Sequence, residues 1–224
     1  MHRAIVAIDG PAGAGKTTVS HRVALALGYR LLDTGAIYRS LALAARRADV
    51  AWEDSYGLAA LAATLPIRFE TVGEQNRVFL GDEDVSTAIR AEEMSRGASQ
   101  VSAHPAVREA LLGLQRDLAS GGGVVMEGRD IGTVVLPHAE AKIFLTATLD
   151  TRAQRRMKDL EARGEAVDFE QLRHQIAERD HNDRTRAVAP LRQAADARLV
   201  DTSDRTIAQV VDEIVNYVHS RLGS

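Results

Sequence analysis

With 224 residues and a net charge of −3, 28 Lys and Arg against 31 Asp and Glu, the chain can bury one large core with a small appendage. Two full α/β domains are excluded by length, and binding of a polymeric nucleic acid is disfavoured because no excess positive charge exists to hold one. The absence of cysteine excludes disulfides and thiolate metal sites, and no apolar run reaches the length of a membrane span. The first apolar run stops at Asp9, short of a signal-peptide core, so the expectation is a cytoplasmic protein with no membrane partner.

In chain order, Ala4–Ile8 reads as a fully buried strand, Lys16–Leu27 as a helix closed by Gly28, and Tyr29–Leu32 as a strand running into Asp33-Thr34-Gly35. A helix from about Ala36 to Arg47 follows. Ile67–Glu70 and Val78–Leu80 flank the polar turn Gly73-Glu74-Gln75-Asn76, and Gly81-Asp82 turns again before Val85. This segment predicts a small antiparallel insert, either a structural appendage or part of a substrate clamp. After Gly121-Gly122-Gly123, the stretches Val124–Met126, Lys142–Thr146 and Arg198–Val200 read as three more core strands. The last helix carries Ile207, Val210, Val211, Ile214 and Val218 on one stripe. Alternating β and α elements predict an α/β fold of three layers, a central parallel sheet with helices on both faces. Ligands in such a sheet bind at the carboxyl ends of the strands.

Between the first strand and the first helix lies Gly10-Pro11-Ala12-Gly13-Ala14-Gly15-Lys16-Thr17-Thr18, which contains G-x-x-x-x-G-K-[ST]. This is the pattern of a P-loop. Glycines let the backbone N–H groups turn inward on a phosphate, the helix N-terminus adds positive potential, the lysine reaches the β and γ oxygens, and the Thr17 hydroxyl ligates Mg²⁺. Lysine occurs otherwise only at Lys142 and Lys158. The loop alone does not name the acceptor, because many activities share it. Arginines 39, 108, 129, 179 and 186 are candidates for gripping a second anion. Arg179, Asp183 and Arg186 are spaced by four and three, as on one helix face, although a solvated surface laced with pairs such as Asp180 with Arg184 fits the same pattern. The seven histidines, His2 among them, show no ligand spacing, and Trp52 and Tyr56 read as core or rim residues.

The chain resembles the bacterial cytidylate kinases. The resemblance rests on GPAGAGKTT at Gly10–Thr18, LLDTGAIYR at Leu31–Arg39, SQV followed by VREAL within Ser99–Leu111, GRDIGTVVLP at Gly128–Pro137 and RDHNDRTRAVAPL at Arg179–Leu191, in family order. It implies a P-loop nucleoside monophosphate kinase acting as a monomer, with ATP and Mg²⁺ as donor and metal and CMP or dCMP as acceptor. A nucleotide-binding subdomain at about 36–119, with its β insert at about 66–90, and a lid at about 150–167 are implied as well. By the same resemblance Thr34, Arg39, Arg129 and Arg186 hold the acceptor phosphate, with Tyr38 nearby. Guanidinium forks suit a dianion because each gives paired, charge-assisted hydrogen bonds.

Ser99, Arg108 and Asp130 are implied around the base, and Arg179 and Asp183 by the sugar. A carboxylate or hydroxyl accepts from cytosine N4 while arginine donates to the acceptor edge, whereas uracil would turn an oxygen toward Asp130. Lys16, Arg129 and Arg186 are the expected catalytic charges, because an acceptor phosphate with a second pKa of about 6 is already ionised and needs positioning rather than a strong base. Arg152 and Arg156, with Arg155, resemble the lid cations that cover ATP. The sequence leaves open whether Asp33 or Asp130 supports the metal through water. Two departures from the family pattern are the loop end Lys16-Thr17-Thr18, where many relatives have GKG or GKS and which preserves the hydroxyl for Mg²⁺, and Arg184, where serine is common.

Overall fold

The structure, a computed structural model, describes residues 3–72, 75–162 and 164–223. It comprises two compact units, one formed by Met1–Tyr29 with Gly122–Ser224 and the other by Arg30–Gly121. The main sheet has the strand order β2-β6-β1-β7-β8, with β1 Ile5–Asp9, β2 Arg30–Asp33, β6 Val124–Gly128, β7 Ala141–Thr146 and β8 Arg198–Asp201. The pairs β1/β6, β1/β7 and β7/β8 are parallel.

In the first unit, Val6, Ala7 and Ile8 of β1 and Val124, Val125 and Met126 of β6 have no exposed surface, so these runs stay apolar at every position rather than alternating. The strands reach further toward their polar ends than hydrophobicity predicts: β1 continues to Asp9 and β6 to Gly128, because Asp9 pairs with Gly128 on one side and Phe144 on the other. The backbone ladder, not side-chain polarity, ends the strand. Helix α1, Lys16–Leu27, closes at Gly28 as expected. The Tyr29 amide still donates to Ala24 O at 2.9 Å, so β2 starts at Arg30 rather than at Tyr29.

Helix α6, Leu149–Glu161, starts at Thr148, whose hydroxyl accepts from Thr151 N. Helix α7, Phe169–Thr185, starts at Asp168. The two meet through Ala153, Leu160, Leu172 and Ile176. Helix α8, Ile207–Leu222, opens with a capping box of Thr206 and Gln209 and buries Val210, Val211, Ile214 and Val218. Ile207, expected on that buried stripe, is exposed instead, because it lies in the first turn at the end of the helix.

The second unit contains α2 Thr34–Arg47, α3 Ser55–Ala63, α4 Glu92–Val101 and α5 Pro105–Ala119. Helix α2 begins two residues before the expected Ala36, because the Asp33 carboxylate accepts from Ala36 N at 3.1 Å and draws Thr34 and Gly35 into the first turn. A three-stranded antiparallel sheet, β3 Ile67–Val72, β4 Gln75–Leu80 and β5 Glu83–Asp84, forms the insert. Gly73 and Glu74 of the expected turn lie outside the described residues, as do His2 and Arg163. Val85 falls just past β5 and is buried with Ile67 and Val78 among Ile37, Leu41, Leu58, Met94 and Leu111. The insert therefore shares the apolar core of its unit, and each such side chain contributes about 1.5–3 kcal/mol of burial. Trp52 wedges against α4, where a Cβ added at Gly97 would lie 2.6 Å from its ring, and its Nε1 donates to Ala42 O at 3.1 Å. The His104 ring Nε2 lies 2.8 Å from Trp52 O. Tyr56 is exposed.

Candidate active site

The glycine-rich loop leaves the carboxyl end of β1 at Gly10, where a Cβ would stand 2.2 Å from Leu145 O of β7. Only glycine fits between these two backbones. Substituting Gly10 by Ala is expected to lower unfolding free energy by about 3 kcal/mol, read in urea unfolding curves. Gly15, left-handed at φ 84, caps α1 without a side-chain hydrogen bond, so the first-turn amides have no capping side chain. An anion is their natural partner. The Thr17 and Thr18 side chains follow, both exposed.

Lys16 is buried, and its Nζ donates to Pro11 O at 2.7 Å. Burial pushes its pKa down to about 7, Arg129 and Arg179 push the same way, and Glu127 and Asp183 oppose them. The P-loop lysine therefore stands in the field of three residues singled out in the sequence for the acceptor. These form a compact charge cluster. Arg129 Nε donates to Asp183 Oδ2 at 3.0 Å, while Arg186 Nη1 lies 3.7 Å from Asp183 Oδ1 and Arg186 Nη2 lies 3.4 Å from Asp130 Oδ1. Burial alone would raise the Asp183 carboxyl, but Arg129, Arg179 and Arg186 together hold it below its ordinary value.

The local chain explains the cluster. Arg179 and Asp183 lie on α7, but Arg186 is the residue just past its end, so the three are not on one uninterrupted helix face as the spacing predicts. Arg186 Nε donates to Ala189 O at 2.7 Å, and Ala189 adopts a left-handed φ of 51 that few non-glycine residues take. Arg129 and Asp130 sit between β6 and a π-helical turn at Ile131–Val135. Asp180 pairs at 2.7 Å with Arg152, not with Arg184.

Arg152 is itself buried. It donates to Ala12 O at 3.0 Å and Ala147 O at 3.1 Å, so it braces the phosphate loop from behind. Arg155 holds Thr202 through Oγ1 at 2.9 Å and O at 2.6 Å, and Thr202 Oγ1 donates to Ala14 O at 3.3 Å. Arg156 is half-buried on α6. In the second unit, α2 carries Thr34, Tyr38 and Arg39, α4 carries Ser99 and α5 carries Arg108. Arg39 Nη2 pairs with Asp33 Oδ2 at 2.7 Å. The buried Arg108 guanidinium lies 5.6 Å from the Tyr38 ring centroid and donates to Ser102 O at 3.4 Å. Ser99 is half-buried, and its carbonyl accepts from Ser102 Oγ.

The roles of four buried residues are not legible in the sequence: Asp9, Glu127 and Thr202, and Asp180, whose spacing suggests Arg184 as its partner rather than Arg152. Asp9 and Glu127 carry a signal in retrospect, a lone carboxylate closing an apolar strand just before a motif glycine. Asp180 and Thr202 carry none, since each is one polar residue among several. Among the described residues no group of three or more His, Cys, Asp or Glu could hold a metal.

A parallel sheet with a P-loop at the end of its central strand, and a guanidinium cluster within the field of the loop lysine, define a P-loop nucleotide kinase. The family model for cytidylate kinase matches residues 6–220. The chain belongs to the cytidylate kinase family, phosphotransferases that act on CMP and dCMP. It is 54% identical over 211 residues to a cytidylate kinase of Pelotomaculum thermopropionicum, covering 94% of this chain and 93% of that one. It is 53% identical over 220 residues to a cytidylate kinase of Mycobacterium avium, covering 97% and 96%. A gluconokinase structure from Sinorhizobium meliloti 1021 shares the fold at a TM-score of 0.51 and 14% identity, covering 98% of this chain and 93% of that one.

Proposed function

We propose that the protein transfers the γ-phosphoryl group of ATP, carried with Mg²⁺, to CMP or dCMP, acting as a cytoplasmic monomer. The observation that carries this reading is the match to the cytidylate kinase family over residues 6–220, supported by the ion-pair cluster in which Arg129 and Arg186 both flank Asp183. The loop amides of residues 10–17 and Lys16 take the donor phosphates, and Thr17 the metal, which neutralises charge on the transferred group. Arg129 and Arg186 grip the acceptor phosphate and offset the charge that builds between the two anions. Asp130 accepts from cytosine N4, while Asp183 and Arg179 serve the sugar. Within the second unit, Thr34 and Arg39 take acceptor phosphate oxygens, with Tyr38 beside them, and Ser99 and Arg108 read the base.

Arg152 and Arg155 are committed to Ala12, Ala147, Asp180 and Thr202, which leaves Arg156 as the α6 arginine best placed to reach a nucleotide. No helix among the described residues is long and apolar enough to cross a membrane. The test is a panel of CMP, dCMP, UMP, AMP and shikimate with ATP and Mg²⁺, read as ADP release. Rapid turnover of CMP and dCMP is expected, with UMP slower by about 100-fold because its O4 faces a carboxylate. No turnover with either cytidine nucleotide would overturn the reading.

A further inference from the structure

One buried carboxylate is not used by that chemistry. Asp9 is the last residue of β1, directly before the first glycine of the phosphate loop, and is only 4% exposed. Its two oxygens are divided between two backbone amides, Oδ1 accepting from Ile131 N at 2.8 Å and Oδ2 from Gly132 N at 2.8 Å. Those amides open the π-helical turn that immediately follows Arg129 and Asp130. One side chain thus spans from the root of the donor loop to the root of the acceptor loop. Neighbouring strands are already joined by their ladder, but the pairing of β1 with β6 ends at Asp9 and Gly128, one residue before Arg129. Beyond that point the Asp9 carboxylate continues the connection.

We propose that Asp9 is a positioning residue, a two-pronged clamp that sets Arg129 and Asp130 at a fixed distance from the phosphate loop so that donor and acceptor phosphates meet in line. This rests on the reading of Arg129 as an acceptor-phosphate ligand. A carboxylate is required because it alone offers two acceptors in this geometry. An amide at the same place presents one acceptor and one donor, and the donor would face an N–H. In-line transfer depends steeply on such placement, whereas binding of the donor nucleotide alone does not.

The clamp has a titration as well. Burial raises the Asp9 pKa to about 6, the two amide hydrogen bonds and Lys16 lower it, and Asp130 raises it; the Lys142 stem lies over Gly132 from β7. Protonation puts an O–H against one of the two amides and loosens that prong. The Arg129 partner Asp183 is held below its ordinary value, so it does not titrate in this range.

The test is Asp9→Asn, compared with wild type for kcat, for KM of CMP and ATP, and for ADP affinity by calorimetry. A fall in kcat of at least about tenfold, with KM for ATP within about threefold and ADP affinity within about twofold, is expected. Unchanged kcat, or loss of ADP affinity in step with kcat, overturns the proposal. If the variant does not fold, NMR of Lys16→Met, which removes the neighbouring group that titrates at about 7, still decides. The Ile131 and Gly132 amides and Arg129 Nε–H should shift together on one curve as Asp9 titrates, and an Arg129 signal that stays fixed while the amides move overturns it. Wild-type turnover of CMP separates this test from that of the function itself.

Discussion

Substituting Lys16 by Met should lower kcat for CMP phosphorylation by about 1,000-fold while leaving the protein folded, because the lost ammonium offsets charge on the donor phosphates that grows further during transfer. The same variant should alter two pH-dependent quantities. Burial lowers the pKa of wild-type Lys16 to about 7, and a bound triphosphate raises it again, so ATP binding at pH 8 should take up part of a proton from solution. Calorimetry in buffers of different ionisation enthalpy reads that uptake, and the Met variant should show none from this group. The stability effect has a definite sign. A base whose folded pKa is depressed favours folding above its ordinary pKa and loses that contribution as pH falls toward the folded value. Wild-type stability should therefore rise between about pH 7 and pH 10, and this component should be flat in the variant. Equal proton uptake by both proteins would show that Lys16 does not meet the phosphates.

Arg186→Ala should reduce kcat/KM for CMP by about 1,000-fold, through both a higher KM and a lower kcat, since a guanidinium on the acceptor phosphate stabilises ground and transition states alike. Affinity for ADP alone should be nearly unchanged. The variant also removes one of the three cations that hold the Asp183 carboxyl low. A carboxylate with a depressed folded pKa adds stability above its ordinary range, and that stability is lost as pH falls through the folded pKa. With Arg186 gone the depression is smaller, so the acid unfolding midpoint should move to higher pH. An unchanged kcat/KM would assign the acceptor phosphate to other residues.

Much of this architecture could be read from residue order. The apolar run before Gly10, the G-x-x-x-x-G-K-[ST] spacing and the βα rhythm specify local conformations that tertiary packing then reinforces, so α1 starts and ends where the pattern places it. Strand ends were harder, because Asp9 and Gly128 join the ladder through backbone pairing that side-chain polarity does not report. Motif arginines were visible as charges but not as contacts. Nothing in the spacing of Arg152, Arg155 and Arg156 distinguishes a brace buried behind Ala12 from an arm extended toward nucleotide. That distinction depends on Asp180 and Thr202, which come from other elements and are brought near only by folding. Arg186 shows the same limit, since its helical spacing from Asp183 survives although the helix ends at Thr185.

Trp52 is the chain's one tryptophan, and it is pinned between the Ala42 carbonyl of α2 and the Gly97 face of α4. Long-wavelength intrinsic fluorescence of this protein therefore has a single origin, inside the unit that carries Thr34, Arg39, Ser99 and Arg108. Emission from that indole is a ready-made optical gauge of how tightly those two helices are seated, available without label or engineered dye.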